Sequence, residues 1–237
     1  TVVITSKPSA SRVHLEGFPA SQTHANFASA DFLAFGVSNE VNEVTEKALD
    51  KYGVGSCGPR GFYGSIDAHV RLEEALAKAF GTDEAIIYSD ASSAVSSAIP
   101  AFANRSDLLV VDAGVNDNVI TGVRLSRAKA IFFRHNDMEH LEQVLRQVEQ
   151  DDKRLNRRSD SQRRFIVFEG LYRNYGDVAP LDKILALKMK YKWRLIADES
   201  LSIGTLGKTG RGVTELYGVD RTDVEILVGS METTLAS

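Results

Sequence analysis

The chain has 237 residues, 43% hydrophobic and 25% charged, with a formal net charge of -4. That is the composition of an ordinary globular protein, long enough for one large domain or for one domain and part of a second. The acidic balance argues against a nucleic-acid surface, no apolar run approaches the roughly 18 residues that a membrane crossing needs, and the single Cys57 rules out an internal disulfide.

The chain opens TVVITSKPSASRV, without an initiator Met and without the basic stretch and apolar core of a signal peptide, so a piece of a longer protein is expected. Residues 1–30 are rich in Ser, Ala and Thr, carry Pro8 and Pro19 and show no sustained period, and they read as an N-terminal arm. Residues 31–237 read as one large domain, truncated at its C-terminal end. Asp31 to Phe35 has the apolar character of a short strand, and Val41 to Tyr52 is helix-like until Gly53 stops it. A loop with glycines at 53, 55, 58, 61 and 64 follows. Ile66 to Phe80 is then a helix with Gly81 as its C-terminal cap.

Beyond Gly81, short apolar runs alternate with helical stretches. The runs are Ala85 to Tyr88, Leu108 to Val111, Ala130 to Phe133, Phe165 to Phe168, Arg194 to Ala197 and Glu225 to Val228. This alternation predicts βα units and a mostly parallel sheet. Asp112, Glu169 and Asp198 stand just past three of the runs, where an open α/β sheet binds its ligands; each could equally be a solvated loop acid. Arg146 to Arg164 is densely charged with mixed signs, the pattern of a solvated helix end and surface loop. Pro180 opens a helix with Leu181, Ile184 and Leu185 on its buried face.

Two phosphate-loop patterns are only formal. Gly53, Gly55 and Gly58 satisfy G-x-G-x-x-G, but a helix rather than a strand precedes them, so the reading is a loop whose backbone passes close to something. Ser202 to Thr209, SIGTLGKT, nearly matches a P-loop, but GRGV and not an apolar helix follows Lys208. The five histidines show no metal-ligand spacing, His69 reads as a packed or capping residue, and no Gly-x-Ser-x-Gly elbow exists.

Three segments, YGVGSCGPRGFYGSIDAHVRLEEALAKAFG, FEGLYRNYGDVAPLDKI and LIADESLSIGTLGKTGRGVTELYGV, resemble the α-oxoamine synthase family of pyridoxal-phosphate enzymes in order and spacing. The resemblance runs from about Asp31 to the end of the chain. Within that family, GPRGFYGS, EGLYRN and GSMETTLAS are most similar to the non-catalytic long-chain-base subunits of serine palmitoyltransferases. The resemblance implies an α/β chain with the large domain of a fold-type-I pyridoxal-phosphate transferase, a mostly parallel sheet flanked by helices, with the C-terminal small domain absent from this chain.

In such enzymes a lysine forms a Schiff base with the cofactor, an aspartate pairs with the pyridinium nitrogen and a histidine stacks on the ring. Asp198 stands where that aspartate stands. The stacking histidine falls on Asn116, in DAGVNDNVITG, and Leu201 replaces the histidine of the family's Asp-Glu-Ala-His-Ser pattern. Asp90-Ala91-Ser92 stands where catalytic members place Ser-Gly-Tyr or Ser-Gly-Phe, and an acid there would repel a phosphate. The Schiff-base lysine falls on Thr233, in GSMETTLAS.

The resemblance therefore implies a subunit with no catalytic residue of its own and a vestigial cofactor site at Asp198, Asn116 and Leu201. Pyridoxal phosphate would be bound by the partner subunit and not covalently by this chain. The partner would be a homologous lysine-bearing catalytic subunit, and the heterodimer would condense L-serine with palmitoyl-CoA to 3-oxosphinganine in sphingolipid biosynthesis. It further implies attachment to the endoplasmic reticulum membrane through a helix outside this chain, with this segment soluble on the cytosolic side. Cys57, Arg60 and Tyr63, in the glycine-rich loop, are the candidates to reach the partner's substrate pocket, with plain interface packing as the alternative. Two other readings stay open. One is a catalytic synthase whose lysine lies elsewhere, for which Lys208 is in the right general segment. The other is a regulatory homologue that only binds partners.

Overall fold

The computed structural model describes residues 3–9, 11–27, 30–157 and 162–235. The chain divides into two compact units, one formed by Thr1–Ala79, Asp83–Ile87 and Met231–Ser237, the other by Phe80–Thr82 and Tyr88–Ser230.

The first unit begins with three short antiparallel strands, β1 (Ile4–Ser9), β2 (Arg12–Leu15) and β3 (His24–Ala25), in that spatial order. Sequence reasoning left this stretch as an unpatterned arm, because strands such as ITSKPS have polar residues on both faces and β2 buries only Val13. Helix α1 (Asn39–Tyr52) is capped by the Ser38 hydroxyl, which accepts from the Val41 amide at 3.4 Å, and it ends at Gly53 with φ 72. Helix α2 is Asp67–Phe80. Asp31 to Phe35 is not a strand: the amides of Phe32 and Leu33 donate to the carbonyls of Thr233 and Thr234, both at 3.1 Å, and Phe35–Val37 coils into a 3-10 turn. Ala85 to Tyr88 forms no strand either; the Ile87 amide donates to Glu73 Oε1 at 3.0 Å instead of to a sheet neighbour.

The second unit holds a five-stranded, wholly parallel sheet of β4 (Leu108–Asp112), β5 (Lys129–Phe133), β6 (Arg164–Glu169), β7 (Arg194–Asp198) and β8 (Ile226–Val228), in the order β5-β4-β6-β7-β8. A parallel sheet is covered on both faces, which is why its strands read as unbroken apolar runs. Leu109, Val110, Val111, Ile166, Phe168, Leu195 and Ala197 are at most barely touched by solvent. The covering helices are α3 (Ala91–Phe102), α4 (Asp117–Ser126), α5 (Met138–Leu155) and α6 (Leu181–Tyr191), and one turn of helix, α7 (Val213–Leu216), follows β7. Gly122 lets α4 lie against α3, since a Cβ there would come within 2.9 Å of Ile99. Helix α5 buries Leu141, Leu145 and Val148 and keeps its charges on the other face. The charged run is not wholly solvated, for Arg164 and Asp152 form a largely buried ion pair at 2.6 Å, with the guanidinium 5.9 Å from the Trp193 ring. Residues 158–161 of that run lie outside the described residues. No helix among the described residues is long and apolar enough to cross a membrane.

Candidate functional site

The carboxyl ends of the sheet strands deliver Asp112, Glu169 and Asp198 to one edge, and none of the three is a solvated loop acid: their exposures are 0%, 2% and 5%. Each carboxylate is held by donors. Asp198 Oδ1 accepts from the Ser200 amide at 2.9 Å, and Oδ2 accepts from the Asn116 side-chain amide at 3.0 Å. Asn116 is the N-cap of α4, its own carbonyl oxygen accepting from the amides of Asn118 and Val119. Its backbone N–H is given to Glu169 Oε1, while Glu169 Oε2 accepts from the Arg173 amide at 3.0 Å. Burial, with the Asp198 charge nearby, holds the Glu169 carboxyl above the usual carboxylate range, against the pull of those two amides.

Behind this edge Glu199 is fully buried. It accepts from the Ser202 hydroxyl and from the Val213 amide, and faces the Arg221 guanidinium at 3.6 Å. Arg221 in turn donates to the Thr214 hydroxyl at 2.7 Å. Burial raises the Glu199 carboxyl above its ordinary value. The glycine-rich turn folds around this group. A Cβ on Gly212, whose φ is +89, would come within 2.3 Å of Glu199 Oε2. The turn closes as a small hairpin through the Gly204 amide and the Gly210 carbonyl at 2.7 Å. Its amides at Thr209 and Arg211, together with the Thr209 hydroxyl, all donate to Glu215. Two donors at the end of the P-loop-like stretch, the Thr209 amide and hydroxyl, thus serve a carboxylate of the same chain.

The N-terminus of α3 is filled in the same way. Asp90 caps it, with Oδ1 accepting from the Ser93 amide at 2.7 Å and Oδ2 from the hydroxyls of Ser93 and Ser89, and these bonds hold its carboxyl below the ordinary range. Leu201 is half-buried and contributes only a carbonyl, to the Thr205 hydroxyl. An ionised side chain already uses the α3 amides, and an amide side chain already sits on Asp198.

The other named residues lie in the first unit. Thr233 is in α8 (Glu232–Leu235), 6% exposed, with its carbonyl tied to Phe32. In the glycine loop Cys57 is exposed, Tyr63 is 65% exposed, and Arg60 is anchored to Glu73 at 2.8 Å. That loop's glycines are there for its own backbone: a Cβ on Gly64 would overlap the Gly58 carbonyl, and one on Gly58 would overlap the Tyr63 ring. His69 accepts from the Ile66 amide at 3.4 Å, a local cap on the start of α2.

Sequence reasoning missed the surroundings of Asp112. It accepts from the amides of Gly114 and Asn136 and from His135 Nδ1 at 2.8 Å, while His135 Nε2 meets Asp177 at 3.0 Å. The only sequence signal was a histidine two residues past a strand end. No group of His, Cys, Asp and Glu among the described residues is arranged to hold a metal.

The family model for aminotransferase class I and II matches residues 23–236. Serine palmitoyltransferase 1 of Dictyostelium discoideum is 46% identical over 92% of this chain and 44% of its own length. Serine palmitoyltransferase 1 of Saccharomyces cerevisiae is 45% identical over 90% of this chain and 38% of its own. The chain therefore spans less than half the length of these curated relatives. Among solved structures, serine palmitoyltransferase of S. paucimobilis with a bound PLP–myriocin aldimine superposes with a TM-score of 0.85 at 26% identity, covering 99% of this chain and 55% of that one. With the parallel sheet, these similarities give the chain the fold of the large domain of pyridoxal-phosphate transferases, and it belongs to the aminotransferase class I and II family.

Proposed function

We propose that this chain is part of a serine palmitoyltransferase subunit that performs no chemistry itself. A homologous lysine-bearing partner holds pyridoxal phosphate and condenses L-serine with palmitoyl-CoA to 3-oxosphinganine, a step of sphingolipid biosynthesis. The identity to proteins named serine palmitoyltransferase 1 supports the enzyme assignment. The observation that carries the silent half of the reading is the stretch Gly229 to Ser237, which contains no lysine and has Thr233 where the Schiff-base residue is expected. A threonine hydroxyl forms no imine. The Asp90 carboxylate on the α3 amides and the Asn116 amide on Asp198 support the same reading.

The scaffold's work is then done for the partner. In the loop from Gly53 to Gly64, Val54 is fully exposed and Phe62 is 82% exposed, beside Cys57 and Tyr63, and such apolar groups favour cover by a second chain. Cys57, Arg60 and Tyr63 are the residues assigned to the partner's substrate pocket. Membrane attachment belongs to a segment outside this chain. The test is to purify the full-length subunit alone and with its homologue. Activity only in the mixture is expected, with the aldimine absorption band and borohydride-trapped lysine confined to the partner. A band in the lone subunit that borohydride fixes on Lys208 would overturn the reading.

A further inference from the structure

Both ring nitrogens of His135 face carboxylates. Nδ1 lies 2.8 Å from Asp112 Oδ1, and Nε2 lies 3.0 and 3.2 Å from the two oxygens of Asp177. A neutral imidazole carries one N–H and one lone pair, so in that state one nitrogen would turn a lone pair on an anion. Only the doubly protonated ring donates to both. The two partners differ. Asp112 is fully buried and has two further donors, the amides of Gly114 and Asn136. The Asp177 side chain is 47% exposed and has, besides the ring, the side-chain amide of Asn136 at 2.9 Å.

Asp177 belongs to a hairpin between β6 and α6. Its root is fixed by the Leu171–Val178 bridge and by backbone bonds from Tyr172 to Asp177 and from Ala179 to Gly170. Its tip, residues 173–177, is exposed. Tyr175 stacks on the His135 ring at 4.0 Å between centroids, and the buried Tyr172 meets the ring edge at 4.4 Å. Gly114 leaves the ring its place, since a Cβ there would come within 2.2 Å of Nδ1.

We propose that His135 is a protonation-operated clasp: the cationic ring ties the hairpin tip at Asp177 and Tyr175 to the buried Asp112, and loss of the Nε2 proton releases the tip while its root stays closed. The groups that face the ring are Asp112 at the end of β4, Asp177, Tyr172 and Tyr175 from the hairpin, and Asn136 on its own turn, whose Arg134 is engaged by Asp137 at 2.7 Å. Partial burial works against the charge, but Asp112 and then Asp177 outweigh it, so the ring titrates above the ordinary histidine value. The clasp is therefore fully closed below pH about 6.5 and opens as pH rises through the raised value. The first residue of the tip, Arg173, gives its amide to Glu169, so opening also loosens a donor on the Asp198 edge.

The test is hydrogen exchange followed by mass spectrometry on the full-length protein in its native assembly, with separate labellings, a long one for the C2 proton of His135 and short ones for the amides of the tip. The expected result is a His135 midpoint above about 6.5 and a rise of about tenfold in tip exchange, corrected for chemical rate, across that midpoint. Asp177→Asn lowers the midpoint and removes the pH dependence of tip exchange, since a neutral amide can meet either protonation state of the ring. His135→Gln, which does not titrate, likewise removes the pH dependence; if that variant does not fold, the wild type and Asp177→Asn decide alone. Tip exchange that is flat through the wild-type midpoint, or a midpoint unmoved by Asp177→Asn, would overturn the proposal.

Discussion

Asn116 donates its side-chain amide to Asp198 at 3.0 Å across 82 positions of sequence, and it caps α4 with the oxygen of the same side chain. With its backbone N–H on Glu169, this one residue after β4 ties together the ends of β6 and β7.

Asn116→Ala removes the cap and leaves Asp198 short of a donor, so it should cost roughly 1–3 kcal/mol in denaturant unfolding. Asn116→Ser restores the cap but not the reach to Asp198, and should recover about half of that loss. Equal stabilities for the two variants would show that the cap contributes nothing, and an Asn116→Ser variant as stable as the wild type would show the same of the Asp198 bond.

Glu199 and Arg221 are the buried ion pair behind the same edge. Glu199→Ala strands the guanidinium and frees the glycine-rich turn, with an expected loss of roughly 3–5 kcal/mol. Adding Arg221→Met should return part of it. A double variant as unstable as the single one would mean that the turn, and not the stranded charge, carries the cost.

How much of this could be read beforehand follows from the range of the interactions. The parallel strands and their helices were legible because burial on both faces leaves continuous apolar runs, and because Pro180 and Gly53 mark helix ends locally. Asp198 and Glu169 were legible as strand-end acids. The antiparallel strands of the first unit were not, for their side chains are polar on both faces. Nor were the His135 contacts, which join a β5–α5 turn, the end of β4 and a hairpin 42 residues further on. Residues so far apart show no shared pattern until the sheet brings them together.

The Glu215 carboxyl lies below its ordinary value, first because the Thr209 hydroxyl and then the Arg211 and Thr209 amides favour its charged form. A depressed carboxylate stabilises above its unfolded value of about 4.5 and stops doing so as pH falls through the folded one. Exchange of the amides at 209 and 211 should thus accelerate in acid, relative to intrinsic rates. Glu215→Gln should exchange fast at every pH, and a variant matching wild type would refute this role.

Thr233→Lys alone should not generate an internal aldimine in the isolated subunit, since Asp90, Asn116 and Leu201 remain as they are. The visible spectrum with added pyridoxal phosphate checks this directly. A stable band near that of the catalytic relatives, lost in Thr233→Arg, would show that the lysine was the one missing part.

The sheet order carries one more consequence. From β4 the chain steps outward to β5 on one side, then returns to lay β6, β7 and β8 on the other. The loops leaving β4 and β6 therefore part in opposite directions, and the gap between them is a property of the winding and not of any side chain. Asn116 and Glu169 stand at that parting. Point substitutions along such a crevice change its chemistry but leave its contour, which the winding sets.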